Sequence, residues 1–483
     1  MGPRVSKHAD RGCWPVARVK GWQFVPFDEA FHNRTDNLRK VPAGEYLASG
    51  RLAVVDQGQL EVGGFTDKLD VAYEGELPVI IFGDHTRVIK FIDFPFAQGA
   101  DGVKVLKATD LLYSKFAYWS LKALKLPDRG YSRHYKFLRS SEFPIPPLNE
   151  QRRIVARIEE LTARSKSARE ALQAIPPLLE KFRQSVLAAA FRGDLTAEWR
   201  RQNPDVEPAE VLLERIRVER RRRWEESGAR GKYVETEPVD ATGLPELPRG
   251  WCWATLAALV VDGPTNGYSP ATSPGATGTK ALKLSATTSG RLVLNETTVK
   301  RIQEVIPAES RLWLKGGDVL VQRSNSLEYV GTAALYDGPD GEYIYPDLMM
   351  RLRFTQEALA RWAGQMINAP TSRDFLTARA TGTAGNMPKI NGSVLTSLKL
   401  PTPPYEEALA ANMIIEESLS RMRSVRECLT TLISDIDFQD QAILAKAFRG
   451  ELVPQDPDDE PASVLLQRLT AQKPVPGQKR KRK

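Results

Sequence analysis

One stretch of this chain occurs twice, and that repeat limits the architectures open to it more than any other feature. SVLAAAFRGDLT (Ser185 to Thr196) returns 257 residues later as AILAKAFRGELV (Ala442 to Val453). The same offset superimposes Pro146-Pro147-Leu148 on Pro403-Pro404-Tyr405, and Ile158-Glu159-Glu160 on Ile415-Glu416-Glu417. A third match, PAEVLLERI from Pro208 against PASVLLQRL from Pro461, follows after a spacer that differs by four residues. Each copy is preceded by a long segment, and these two segments resemble each other only faintly. A duplicated frame with divergent inserts can present two different recognition surfaces in one repeated setting.

The first copy carries a heptad from Gln151 to Ala190. Ile158, Ser165, Leu172, Leu179 and Val186 hold one core position, and Leu161, Ala168, Ile175, Phe182 and Ala189 hold the other. Arg152, Arg157, Glu160, Arg164, Lys166 and Glu170 flank them, which is the pattern of a coiled-coil seam. The second copy keeps the first position throughout, with Ile415, Met422, Leu429, Ile436 and Ile443. At the other it keeps Val425 and Leu432 but is interrupted by Ser418, Gln439 and Lys446, and its apolar surface shifts partly to Leu419 and Ile433. Two unlike seams predict helices that pack on each other, each about forty residues and roughly 60 Å long if unbroken. Pro176-Pro177 predict a bend in the first, because a proline ring removes a backbone donor and crowds the preceding turn. Both copies end on Phe-Arg-Gly (Phe191 to Gly193, Phe448 to Gly450), with glycine where a helix end needs a left-handed residue. The arginine of each faces the negative end of the helix dipole, a structural role. A second helix, Pro208 to about Glu226, and a proline-rich linker, Tyr233 to Arg249, follow the first copy.

Each insert opens on Gly-Trp (Gly21-Trp22, Gly250-Trp251) and closes on an apolar residue followed by prolines. Short apolar runs separated by Gly and Asp turns (Leu52 to Val55, Val79 to Phe82, Leu292 to Leu294, Asp318 to Val321) predict strands. With helices at Leu111 to Leu124 and Gln356 to Asn368, each insert reads as an α+β domain of about 150 residues. Polar clusters at strand ends are the candidate nucleic-acid contacts. In the first insert they supply His85, Thr86 and Arg87 after Asp84, and Tyr131, Ser132, Arg133, His134 and Lys136 around Tyr135. The second supplies Asn266 and Tyr268, then Arg323, Ser324 and Asn325, then Lys389 and Asn391 within Asn386 to Asn391. Arginine, asparagine and glutamine can fork to base edges, while lysine, serine and tyrosine mostly hold phosphates.

The net charge is +8, with runs at Arg220 to Arg223 and Lys479 to Lys483. Such runs suit a polyanion or form solvated ion-pair ladders. Three scattered cysteines (Cys13, Cys252, Cys428) fit neither a disulfide framework nor a zinc site, and the four histidines stand at no metal-ligand spacing. No apolar run spans a membrane and no secretion signal opens the chain, so the expected place is the cytoplasm, with no membrane partner. Thr402-Pro403-Pro404-Tyr405 approaches the Pro-Pro-aromatic loop of adenine-N6 methyltransferases, but threonine replaces the polar first residue of that loop. The duplicate reads Ile145-Pro146-Pro147-Leu148, and no glycine-rich turn is present to seat S-adenosylmethionine. Intrinsic catalysis is not expected.

The order insert, PPLNEQRRIVARIEEL helix, SVLAAAFRGDLT, second insert, degenerate helix, AILAKAFRGELV resembles the specificity subunit of type I restriction–modification enzymes over nearly the whole chain. Pro146 to Gln151, the two Phe-Arg-Gly-acidic-Leu ends and Lys315 to Leu320 carry the likeness. Tyr405-Glu406-Glu407-Ala408, where Leu-Asn-Glu-Gln stands in the first copy, departs from it. The resemblance implies a non-catalytic subunit made of two strand-rich target recognition domains (1–147 and 250–404). Between them would come a helical region (148–232, with its long helix at 149–192 and second helix at 208–226) and a linker (233–249), and after the second domain a second helical region (405–470) and a basic tail (471–483). It implies that each domain reads one half of a bipartite asymmetric target in double-stranded DNA, with antiparallel helices fixing the unread spacer in a pseudo-twofold frame. Two methyltransferase subunits and motor-nuclease subunits would be partners, and S-adenosylmethionine, ATP and Mg would bind on them and not on this chain. The rival readings are a self-contained adenine-N6 methyltransferase and a coiled-coil scaffold that binds no DNA.

Overall fold

A computed structural model describes residues 19–36, 39–127, 130, 132–228, 231–270, 275–382 and 387–471. The chain forms two compact units, one of residues 1–173 with 429–483 and the other of residues 174–428. The division falls inside both long helices, so each unit owns one insert and part of each repeated helix.

In the first unit the insert begins and ends on strands that pair with each other. β1 (Gln23–Pro26) runs antiparallel to β9 (Glu142–Ile145), with Gln23 opposite Ile145. Between them lie β2 (Phe31–Asn33), β3 (Leu52–Val55), β4 (Gly64–Thr66), β5 (Val79–Gly83), β6 (Ile89–Ile92), β7 (Phe96–Gln98) and β8 (Val103–Ala108). They form a four-stranded sheet, β2-β8-β5-β6, and a three-stranded sheet, β4-β3-β7. β5 is buried along its whole length, which is why Val79 to Phe82 reads as an unbroken apolar run.

The second unit repeats this plan. β10 (Cys252–Thr255) pairs with β18 (Lys399–Thr402), with Cys252 opposite Thr402. β11 (Asp262–Asn266), β17 (Met349–Arg353), β14 (Val319–Gln322) and β15 (Ala333–Leu335) make the four-stranded sheet. β13 (Val299–Arg301), β12 (Lys280–Leu282) and β16 (Tyr343–Ile344) make the three-stranded one. Each strand corresponds to the one nine places earlier, and the directions agree: the outer pair of the small sheet is antiparallel on one side and parallel on the other in both units. The two inserts, nearly unrelated in sequence, share one topology.

The predicted helices appear as Ser114–Ala123, Glu357–Ile367 and Ala209–Glu226. The strand expected at Leu292 to Leu294 does not form. Thr298 Oγ1 donates to the Val293 carbonyl at 2.7 Å, and the Asn295 side chain caps the next turn, so the segment's polar groups are used locally.

The first repeated helix is two elements, Leu148–Gln173 and Ile175–Phe191. Ala174 between them keeps a right-handed helical backbone (φ −76°, ψ −16°), so the diproline interrupts the hydrogen-bond ladder without reversing the chain. The second is continuous over Tyr405–Ala447. Within each unit the helical segments pair antiparallel. In the first, Ile154, Val155 and Ile158 share a core with Ala447 and Phe448, while Arg169 reaches back to Asp437 at 2.7 Å. In the second, Val186, Leu187 and Ala190 share a core with Ala411 and Ile415, and Thr196 reaches Glu407 at 2.6 Å. Burying each of the valines, leucines, isoleucines and the phenylalanine among them contributes about 1.5–3 kcal/mol.

Of the seam residues, Ile158, Ile415 and Leu429 are buried, and Leu161, Leu172, Ile175, Leu179, Met422, Ile436 and Ile443 are half-buried. Phe182 departs from the expectation: it is 52% exposed, while Leu179 before it is half-buried and Val186 and Leu187 after it are buried. Gly193 (φ +76°) and Gly450 (φ +69°) end the repeats in left-handed conformations. A Cβ at Gly193 would meet Pro248 at 2.6 Å, and one at Gly450 would meet Val19 at 2.8 Å. The preceding arginines pair with the acid two residues on, Arg192 with Asp194 at 2.7 Å and Arg449 with Glu451 at 2.8 Å. The Phe-Arg-Gly-acidic motif is thus a self-contained helix stop.

Candidate nucleic-acid interface

In both units the same two loops are joined. In the first, the turn after β5 (Asp84 to Arg87) meets the segment before β9. The Asp84 carbonyl accepts from the His134 backbone N–H at 2.8 Å, and Asp84 Oδ1 accepts from the Tyr135 N–H at 2.8 Å. In the second, the turn after β14 meets the segment before β18. The Arg323 carbonyl accepts from the Ile390 N–H at 2.9 Å, the Asn325 N–H donates to the Pro388 carbonyl at 3.3 Å, and Ser324 forms a bridge with Lys389. β5 corresponds to β14 and β9 to β18, so the pairing is the same pairing made with different residues.

Around the first junction Thr86, Arg133 and Lys136 are exposed and His85, Arg87 and Ser132 half-buried, with Arg87 in a left-handed backbone (φ 60°). Lys104 Nζ stands 5.3 Å from the centroid of the Tyr135 ring. Thr86 Oγ1 donates to the Gln57 carbonyl at 2.7 Å. His134 is not a surface reader: it is 1% exposed, and its ring Nδ1 donates to the Asp84 carbonyl at 3.2 Å. Tyr131 and Asn386 lie outside the described residues, as does the tail from Gln472 on.

Around the second junction Lys389 is exposed and Arg323 half-buried. Ser324 is buried, its backbone N–H donating to the Leu348 carbonyl at 3.2 Å. Asn325 donates to Gln322 Oε1 at 2.5 Å and accepts from the Ser326 N–H, so its amide braces the loop. Asn391 caps the helix Gly392–Thr396 by accepting from the Val394 N–H at 2.8 Å. Asn266 ends β11 exposed; Tyr268 beyond it donates to Glu304 at 2.9 Å and packs its backbone on Tyr345. Gly267 and Tyr268 hydrogen-bond the segment from Tyr345 to Met349, which also receives the Arg323 N–H. Gln322, which opens the same polar cluster in the sequence, is a bracing residue and not a contact. It is fully buried and donates to Thr287 Oγ1 at 3.0 Å, and only its place at the end of an apolar run hinted at this.

The arginine run on Ala209–Glu226 is an ion-pair ladder. Arg221 pairs with Glu235, Arg222 with Glu219 at 2.7 Å and Arg223 with Glu219 at 2.6 Å. Those two arginines hold the Glu219 carboxyl down to about 2.

Gln151 ties the start of its helix to the insert: its Nε2 donates to the Leu111 and Pro146 carbonyls, each at 3.0 Å, and its Oε1 accepts from the Tyr113 N–H at 2.7 Å. Ala408 stands at the equivalent place, and there Asn412 donates to the Ala358 carbonyl at 2.9 Å. The repeated glutamates also differ. Glu407 is held by Arg200 at 2.7 Å, whereas Glu150 accepts from the Trp22 indole at 3.1 Å, and burial raises its pKa above the ordinary carboxylate value. A carboxyl whose folded pKa is raised binds more protons folded than unfolded, so its penalty sets in as pH rises through that window. Glu150→Gln keeps an acceptor for the indole. It is expected to melt higher than the parent at pH 7, with the gap closing below about pH 4.5; equal melting temperatures at both pH values would refute this.

No family model matches the chain. It is 27% identical over 348 residues to the type I restriction enzyme EcoKI specificity subunit of Escherichia coli strain K12, covering 70% of this chain and 65% of that protein. It is 26% identical over 385 residues to the EcoDI specificity subunit of Escherichia coli, covering 77% and 79%. The chain thus spans just under two thirds of the length of the EcoKI subunit. A chain in a structure solved for the complex assembly and conformational transition of the type I R-M system superimposes with a TM-score of 0.56 at 16% identity, covering 90% of this chain and 99% of that one. Two inserts of one topology on repeated helices define a duplicated α+β fold. In sequence the chain is similar to the specificity subunits of type I restriction enzymes, and its fold is that of the superimposed chain. Among the described residues no helix is long and apolar enough to cross a membrane.

Proposed function

We propose that this chain is the sequence-specific DNA-binding subunit of a cytoplasmic type I restriction–modification complex. Each reader takes one half of a bipartite asymmetric target in double-stranded DNA. The chain itself is non-catalytic, and two methyltransferase subunits and motor-nuclease subunits carry S-adenosylmethionine, ATP and Mg. The paired helices set the unread spacer. One observation carries the reading: equivalent loops are joined in the two readers while their residues differ, as reading two unlike half-targets requires. The contacts assigned to the described loops are Thr86, Arg87, Arg133, Lys136, Arg323 and Lys389, with His85, Ser132, Asn266 and Tyr268 beside them. Lysine and arginine there would release counterions from phosphates, so binding would weaken steeply with salt. The test is co-expression with the cognate methyltransferase subunit, followed by mapping of methylated adenines. A split motif is expected, and its absence would sink the proposal.

The outward face of the helices supports the partner assignment. Leu178 and Phe182 on one helix and Val425 on the other are large, apolar and exposed within the second unit. Phe182→Asp is expected to leave the melting temperature within about 1 °C, since surface changes stay within about 0.5 kcal/mol. It should weaken capture of the methyltransferase subunit about tenfold or more, as loss of a buried aromatic anchor does. Unchanged capture by titration calorimetry would remove Phe182 from that contact.

A further inference from the structure

We infer that Asp84 is a positioning residue of the first reader, deciding base discrimination in one half of the target without touching DNA. The inference rests on the two-reader function proposed above. Asp84 is buried, 5% exposed, and therefore no reader itself. Yet three ties between the two loops of this junction run through it. Its carbonyl takes the His134 backbone and ring N–H groups, and its carboxylate caps the helix Tyr135–Arg139 from the other loop through the Tyr135 N–H at 2.8 Å. That helix has no cap of its own, because His134 at its N-cap makes no side-chain capping bond. A carboxylate there also faces the positive end of the helix.

The helix itself is anchored by Leu138 in the core and by Arg139 on Asp28 at 3.1 Å, so what Asp84 sets is its start and the loop before it. His134 Nε2 and Ser132 Oγ are buried with no hydrogen-bond partner among the described residues. An unpartnered buried polar atom is unfavourable, so these groups oppose the observed position and do not set it. Asp84 thereby fixes where Arg133 and Lys136 stand relative to Thr86 and Arg87. The turn is secured on its other side by Gln57, whose Oε1 accepts from the His85 N–H at 3.2 Å. The second reader reaches the same end differently, with backbone bonds between loops and its own cap, Asn391.

The full chain, co-expressed with the methyltransferase subunit, tests this by methylome mapping. Asp84→Ala is expected to raise methylation at single-mismatch sites about tenfold in one half of the motif, the half that exchange of residues 250–402 leaves unchanged, because one well-placed base contact carries about 1–3 kcal/mol of discrimination. The other half should be unaffected. Asp84→Asn keeps the acceptor for Tyr135 and should restore discrimination to within about twofold. Gln57→Ala, which frees the same turn without opening the core, should relax the same half to a smaller degree and covers the case in which Asp84→Ala fails to fold. Wild-type discrimination in Asp84→Ala, or equal relaxation of both halves, overturns the inference. A parent chain that yields no split motif overturns the proposed function, and this inference with it.

Discussion

Arg200→Met is expected to lower stability by about 3–5 kcal/mol, the usual cost of removing one partner from a buried ion pair. Glu407 is 1% exposed and accepts from Thr196 Oγ1 at 2.6 Å and from Arg200 at 2.7 and 3.1 Å. Without the guanidinium, one hydroxyl would face a buried carboxylate. Arg200 also donates to the Gly193 carbonyl at 2.7 Å and lies over the Trp251 ring at 5.6 Å, so it ties the helix stop, the second helix and the start of the insert together. For a unit of this size the loss corresponds to a melting temperature lower by about 10 °C. Glu407→Gln should cost less, since the amide still accepts from Thr196, and adding it to Arg200→Met should recover much of the loss. A drop of less than about 1 kcal/mol in Arg200→Met would mean that the carboxylate is not confined as described.

What the sequence revealed and what it hid follow from how far apart the interacting residues lie. Heptads, helix stops and the proline-marked helix starts are local patterns, and they placed the long helices and the left-handed Gly193 and Gly450. The apolar runs at β3, β5 and β14 were legible because buried central strands need no alternation. Phe182 misled because a heptad specifies spacing and not which face a two-helix layer leaves open. Leu292 to Leu294 misled because three apolar residues do not outweigh a local Asn295 turn. The loops were found as polar clusters, but their joining depends on hydrogen bonds across about fifty to seventy residues, and no spacing rule reaches that far. His134, Asn325 and Asn391 carry reader chemistry and do structural work, and only burial and partners separate the two. The common topology of the inserts was hidden for the same reason: strand order is set by burial pattern and pairing, which many sequences satisfy.

Exchanging residues 250–402 for the matching segment of another family member is expected to replace one half of the methylated motif and leave the other half and the spacer unchanged. The geometry makes the exchange feasible. The segment's first and last strands, β10 and β18, pair over their full length from Cys252–Thr402 to Thr255–Lys399, so its two ends lie side by side and the insert closes on itself. Gly250 (φ +84°) turns the chain into it, and Pro403-Pro404 leads the chain out to the helix. What crosses the junction is apolar packing: Trp251, Ala254, Leu256 and Leu400 share one core with Val186, Leu187, Ala411 and Ile415. A donor segment should therefore keep large apolar residues at those four places, or the chimera loses stability before its specificity can be read. Each base pair misread in the former half would cost about 1–3 kcal/mol, so a half-target of a few base pairs would be abandoned and not merely weakened. Methylome mapping of the chimera decides the matter. Changes in both halves, or in neither, would contradict a division of reading between the two inserts.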